Sequence, residues 1–264
     1  MKQRRLPVSL CLALVAVAMA RAAGLSCQEV RQLRIQQCGN ATLQELADRN
    51  QDCDIAARLR VFAQWLESHD KPCSTVVKDV EMRYRYFIDT TRCPIDYSGA
   101  AFEGLPTAPV RIVVYVTMSC PLCKRLYREV TDSIHARGLA EKIAVCAKPF
   151  GDTPLEYALV AAQRWQIQGT LLRALAPVKQ RIDLQTVMHV IDSLGIPRRE
   201  FSSRMQDRDV AALVKASRDE ALANGVTVTP TFFVNGKRCQ GYKDACWIVD
   251  AAEYELRHRG RTPH

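Results

Sequence analysis

Thr117-Met118-Ser119-Cys120-Pro121-Leu122-Cys123-Lys124 carries two cysteines at Cys-x-x-Cys spacing, between two segments of different periodicity. Before it, residues 109–116 (PVRIVVYV) form an apolar, β-branched run of strand character. After it, Leu126, Val130 and Ile134 recur every four residues, as one apolar face of a helix does. The pair therefore falls where a buried strand turns into a helix N-terminus, with Pro121 suited to the first helical position, where no backbone donor is needed. Disulfide chemistry uses the thiolate, and the positive end of a helix dipole favours an anion there. That dipole contributes about 0.3–1 kcal/mol. At about 1.36 kcal/mol per pKa unit, this lowers a thiol by on the order of one unit.

The surroundings of the motif point to an exported chain. Lys2, Arg4 and Arg5 precede an apolar run too short to span a bilayer comfortably, and Ala18-Met19-Ala20 is an A-x-A cleavage site, so residues 1–23 read as a signal peptide. The formal charge of +9 includes Lys2, Arg4 and Arg5, and no basic run with interleaved aromatics marks a nucleic-acid surface. Eleven cysteines are present, with Cys11 in the leader. In an exported protein the others outside the motif, Cys27, Cys38, Cys53, Cys73, Cys93, Cys146, Cys239 and Cys246, read as structural disulfide candidates.

Residues 24–105 read as a cysteine-rich helical unit plus linker. Thr42-Leu43-Gln44-Glu45 is a capping-box pattern, and apolar stripes run over residues 55–68 and 74–87. Cys27 and Cys38 on one helix would stand roughly 16 Å apart at 1.5 Å per residue, beyond disulfide reach. A nested arrangement, Cys38 with Cys53 and Cys27 with Cys73, would staple antiparallel helices. Cys93 lies in the linker, Cys146 is either a small buried hydrophobe or its partner, and Cys239 and Cys246, which flank the entry to a last helix, are expected to pair with each other.

Residues 106–264 read as the second domain. The strand and Cys-x-x-Cys helix lead to a second apolar run at 142–147 and then to a helical insertion over about 153–225, with starts at Thr153, Asp183 and Asp207 or Asp209. β character returns at 231–234, with an Asn235-Gly236 hairpin signal and a partner over 237–242. Asp244 caps a final helix. The order βαβ, helices, ββα is an α/β sandwich with helices inserted into it.

A lone Cys-x-x-Cys has several meanings. Haem attachment needs His where Lys124 stands, and structural zinc needs a second pair of ligands that the remaining cysteines are not spaced to supply. His135 and His189 are isolated on helical patterns. Redox exchange is the chemistry that remains.

The SCPLC turn after a strand, with Val228-Thr229-Pro230-Thr231-Phe232-Phe233-Val234-Asn235-Gly236 downstream, resembles the thioredoxin superfamily, and within it the DsbA-like disulfide oxidoreductases. The resemblance implies a thioredoxin-like fold with an inserted helical subdomain, the 107-residue gap from Cys123 to Pro230 holding the insertion. It further implies Cys120 as nucleophile, Cys123 as resolving thiol, a cis peptide before Pro230, and Pro121, Leu122, Thr229 and Pro230 as support and substrate-binding residues. It calls for no cofactor or metal beyond the redox-active Cys120–Cys123 disulfide. Partners would be protein thiols and a membrane or exported protein that resets the pair, in the periplasm or an equivalent exported location.

Two departures bear on direction. Leu122 stands where the resemblance expects His, which removes one source of thiolate stabilisation and implies a less oxidising poise. Thr229 stands where the resemblance often has Val, as in the isomerase-type relatives, and residues 111–117 also hold no carboxylate to accept a buried proton. Oxidase-type exchange is the leading expectation. The alternative is a non-catalytic scaffold that binds cysteine-bearing clients or a soft metal such as copper, with Met118 as an added ligand.

Overall fold

A central strand, β3 (Val110–Val116), organises the larger part of the molecule in the computed structural model, which describes residues 25–51, 53–241 and 244–258. The expected leader at 1–23 lies outside the described residues. The chain divides into two units between Thr90 and Thr91, and Gln240 and Gly241 belong with the first.

The first unit is helical with one short ladder. A single turn, α1 (Gln28–Arg31), precedes β1 (Arg34–Ile35), which pairs antiparallel with β2 (Ala41–Thr42). Gly39 and Asn40 take left-handed conformations and return the chain between those strands. The expectation of an all-helical unit with one helix through Cys38 is corrected in this respect. Thr42 then caps α2 (Leu43–Asp48) through a full capping box with Glu45. The long helices α3 (Asp54–Ser68) and α4 (Cys73–Ile88) pack together through Leu59, Phe62, Leu66, Val76 and Val80. Cys27 is joined to Cys73 and Cys38 to Cys53, one bridge nested within the other.

In the second unit the sheet order is β4–β3–β5–β6, with β4 spanning Ile143–Pro149, β5 Thr231–Val234 and β6 Lys237–Arg238. β3 runs parallel to β4 and antiparallel to β5. A central strand covered on both faces must be apolar at successive positions, and six of its seven residues are buried. α5 (Pro121–Ala136) and α11 (Ala245–Arg257) pack beside one another, and α11 lies on β3 and β5. On the opposite parity Val113, Tyr115, Cys146 and Phe233 meet Ala221 and Val226. The insertion contains five helices, α6 (Pro154–Ala161), α7 (Gln168–Leu175), α8 (Leu184–Ser193), α9 (Arg198–Met205) and α10 (Arg208–Ala223). Of these, α7 and α9 escape the periodicity reading, since neither has a side-chain cap and α9 buries Phe201 alone.

The segment read as linker belongs to this unit. Ile95, Tyr97 and Phe102 pack on the sheet, and Glu103 forms an antiparallel bridge with Val145. The Asn235-Gly236 turn, with φ of 48° and 81°, receives it at the other edge. Arg92 Nη1 donates to Asn235 O at 2.7 Å, and Cys93 N–H to Gly236 O at 2.9 Å. A Cβ on Gly236 would stand 2.6 Å from the Cys93 carbonyl oxygen, so only glycine fits.

This placement corrects two disulfide expectations. Cys93 sits at the β5–β6 turn while Cys146 lies in β4, across β3 and two interstrand steps of about 4.8 Å from β5, so they do not pair. Cys146 is the buried hydrophobe of the two readings. Nor are Cys239 and Cys246 joined to each other: Cys239 is buried with its N–H on Phe232 O, and Cys246 lies in the first turn of α11.

Candidate active site

Cys120 is the N-cap of α5, and its sulfur accepts the Cys123 N–H at 3.3 Å. The helix thus offers its free donors to the sulfur that must become an anion. Cys120 N–H in turn donates to Thr117 O at 3.0 Å, closing the turn that leads out of β3. Cys120 is half-buried, whereas Cys123 is wholly buried.

This geometry separates the two thiols. The Cys123 side chain donating to Cys120, followed by the backbone N–H groups of Cys123 and Leu122 and the charge of Lys124, lowers the Cys120 thiol from 9.0 to about 6 against the opposing effect of burial. The same contact with Cys120, together with burial, pushes Cys123 well above the thiol range. The two shifts run in opposite directions, favouring the anion on Cys120 and the proton on Cys123.

The Thr229–Pro230 peptide bond is cis. Thr229 Oγ1 lies 3.0 Å from Thr117 Oγ1, tying the approach to β5 to the end of β3, and the Thr229 side chain reaches Cys123. Pro121 and Leu122, which lie between the two cysteines, are thus joined at the site by Thr229 and the Pro230 that follows it, from more than about 100 residues away in the chain. Leu122 is 38% exposed and Val228 56%, leaving apolar surface on both arms of the site. His135 and His189 are exposed on their helices, away from this cluster.

Two buried ionisable groups flank the turn, and sequence reasoning missed both. Glu156 of α6, 1% exposed, accepts the Met118 N–H at 2.9 Å. It is held by the Thr153 N–H at 3.1 Å and by the Thr153 hydroxyl at 2.5 Å. A Cβ on Gly151 would come within 2.8 Å of the Glu156 carboxyl carbon, so the glycine makes room for it. Lys124, fully buried, donates from Nζ to Met118 O at 3.1 Å. Thr153 marks a helix start in the sequence; nothing local indicates that Glu156, three residues on, completes a capping box and reaches the active-site turn. The Met118 side chain is itself buried. Among the described residues, the cluster of three or more metal-donor side chains is Cys27, Glu29 and Cys73, whose cysteines form a disulfide.

Residues 98–247 match the family model Thioredoxin_4, described as thioredoxin. The chain belongs to this thioredoxin family. Its fold is the DsbA-like form. A thioredoxin-like oxidoreductase from Silicibacter pomeroyi superposes with a TM-score of 0.52 at 19% identity, covering 67% of this chain and 97% of the other. BdbD from Bacillus subtilis gives 0.51 at 19% identity, over 64% and 99%. Wolbachia pipientis alpha-DsbA1 gives 0.51 at 16%, over 62% and 94%. At such identities the likeness is one of fold. Among curated proteins, Na(+)/H(+) antiporter NhaA 3 of Salinispora tropica is 26% identical over 156 residues, 56% of this chain and 23% of that protein. Na(+)/H(+) antiporter NhaA 1 of Mycolicibacterium gilvum is 26% identical over 172 residues, 61% and 27%. The chain spans about a quarter of the length of these relatives. Among the described residues, no helix is long and apolar enough to cross a membrane.

Proposed function

We propose that this thioredoxin-family protein is an exported thiol–disulfide oxidoreductase that exchanges disulfides with protein substrates in the oxidase sense. One observation carries the reading: two thiols of a single turn are driven apart, Cys120 half-buried and lowered to about 6, Cys123 buried and raised. In the oxidised pair a substrate thiolate attacks Cys120 Sγ, the accessible sulfur. The Cys120–Cys123 bond breaks, and Cys123 leaves with the electron pair and takes a proton. A second substrate thiolate attacks the substrate sulfur of the mixed disulfide, and Cys120 departs as a stabilised thiolate. The substrate loses two electrons and the pair gains them, so no cofactor beyond the dithiol is needed.

A low thiol pKa improves the leaving group and stabilises the reduced pair, and both favour the oxidase sense. The exposed Leu122 and Val228 suit an unfolded protein segment as substrate. A membrane or exported redox protein would then reset the pair, with the leader at 1–23 removed on export to the periplasm or its equivalent. Capture of a soft metal is not favoured, because the grouping of three metal-donor side chains among the described residues is Cys27, Glu29 and Cys73 and not the Cys-x-x-Cys turn.

The test mixes oxidised protein with a reduced two-cysteine peptide and follows peptide disulfide by mass spectrometry. Stoichiometric oxidation, lost in Cys120→Ser, is expected. A Cys120→Ser protein that oxidises the peptide at the unmodified rate overturns the proposal, as does a metal retained stoichiometrically after dialysis by a protein that oxidises no thiol.

A further inference from the structure

Lys124 presents a physical problem that the exchange mechanism does not address. Its side chain is fully buried, it gives one hydrogen bond to the Met118 carbonyl, and among the described residues no carboxylate comes within ion-pair distance of it. The nearby buried acid, Glu156, is turned to the other side of Met118, where it takes that residue's N–H and the Thr153 donors. A buried ammonium without an anion is costly. The group beside it that can carry the opposite charge is the Cys120 sulfur, one helical turn before it, where the Lys124 N–H also meets the Cys120 carbonyl at 3.5 Å.

We propose that Lys124 is the buried counter-charge of the Cys120 thiolate, so that the redox state of the Cys120–Cys123 pair and the protonation of Lys124 are linked. The proposal rests on the exchange reading and adds a buried cation for its thiolate, which Leu122 does not supply. The electrostatics agree in both directions: the Lys124 charge lowers Cys120, and Cys120 and Cys123 oppose the lowering that burial imposes on Lys124. Reduction by glutathione breaks the Cys120–Cys123 bond and forms the glutathione disulfide. The pair takes two electrons; of the two thiol protons, one goes to Cys123 and one to solvent, leaving the Cys120 thiolate beside Lys124. Forming the disulfide removes that anion, and Lys124 then holds its proton less firmly. Lys124 touches no reacting atom in this scheme and is a positioning residue.

The test measures the pair itself and needs no protein substrate, so it can fail while the exchange activity stands. In folded Lys124→Met the Cys120 midpoint, read by thiolate absorbance at 240 nm, rises by about half a unit. The glutathione equilibrium then shifts about threefold toward the disulfide at pH 7, about 15 mV at about 30 mV per tenfold. Lys124→Arg, which keeps the charge, returns both values toward those of the unmodified protein. A Lys124→Met protein with unchanged midpoint and unchanged equilibrium overturns the proposal. Should the variant not fold, the unmodified protein labelled with 13C-lysine gives the same answer. Because the coupling is reciprocal, the Lys124 Cε resonance titrates at higher pH in the dithiol than in the disulfide state. Equal midpoints in the two states overturn it.

Discussion

Replacing Cys123 by Ala removes the largest cause of the Cys120 depression, the hydrogen bond donated by the Cys123 side chain, and leaves the backbone donors of Cys123 and Leu122 in place. A hydrogen bond to a charged group contributes about 1.5–3 kcal/mol. At about 1.36 kcal/mol per unit, its loss raises Cys120 by about one to two units. With a pKa of about 6, roughly nine-tenths of Cys120 is thiolate at pH 7; after the substitution the fraction falls to between about a half and a tenth. The assay is absorbance at 240 nm against pH on reduced protein, with Cys120→Ser as the blank. Cys146, pushed up to about 12 by burial, does not enter the window below pH 9. Alkylation rates with iodoacetamide should follow the same curve. A Cys123→Ala midpoint that stays at the unmodified value, or an unmodified midpoint above pH 8, refutes the reasoning.

The same lowered thiol makes the stability of the reduced protein depend on pH. Because the folded value, about 6, lies below the ordinary 9.0, the contribution is fully present above about pH 9 and is lost as pH falls through 6. The melting temperature of the dithiol form should therefore rise relative to that of the disulfide form between pH 6 and pH 9, and parallel curves would contradict this. In the first unit, the Cys27–Cys73 bridge closes a separation of 46 residues and Cys38–Cys53 one of 15. Chain entropy assigns them about 4 and about 3 kcal/mol, so urea denaturation should find the Cys27→Ala/Cys73→Ala pair the more costly by about 1 kcal/mol. Glu156→Ala orphans the buried Met118 N–H and removes half of a capping box. We expect a loss of about 2 kcal/mol or more, checked by the urea midpoint, with an unchanged midpoint counting against the role assigned to Glu156.

Much of this molecule is written locally in its chain. The β-branched run of β3, the cysteine and proline that open α5, and the Asn235-Gly236 turn each specify their own backbone through short-range sterics and capping, which is why the α/β order could be read from spacing. The cysteines of the active turn are adjacent in sequence, and their helix follows directly. What the tertiary structure decided lies in contacts between distant segments. Residues 91–103 look like a linker because they lack periodicity, yet Ile95, Tyr97 and Phe102 find an apolar sheet face only when β3, β4 and β5 are assembled. Cys93 and Cys146 look like a pair in composition and are separated by the strand order. In the sequence Thr153 alone marks the start of α6, and Lys124 is noticed only as the residue standing where haem attachment needs His. Only the packing of α6 beside β4 brings Glu156 to the Met118 N–H, while Lys124, carried on α5, reaches the Met118 carbonyl, in an interior where an unpaired charge is costly and an adjacent thiolate relieves it.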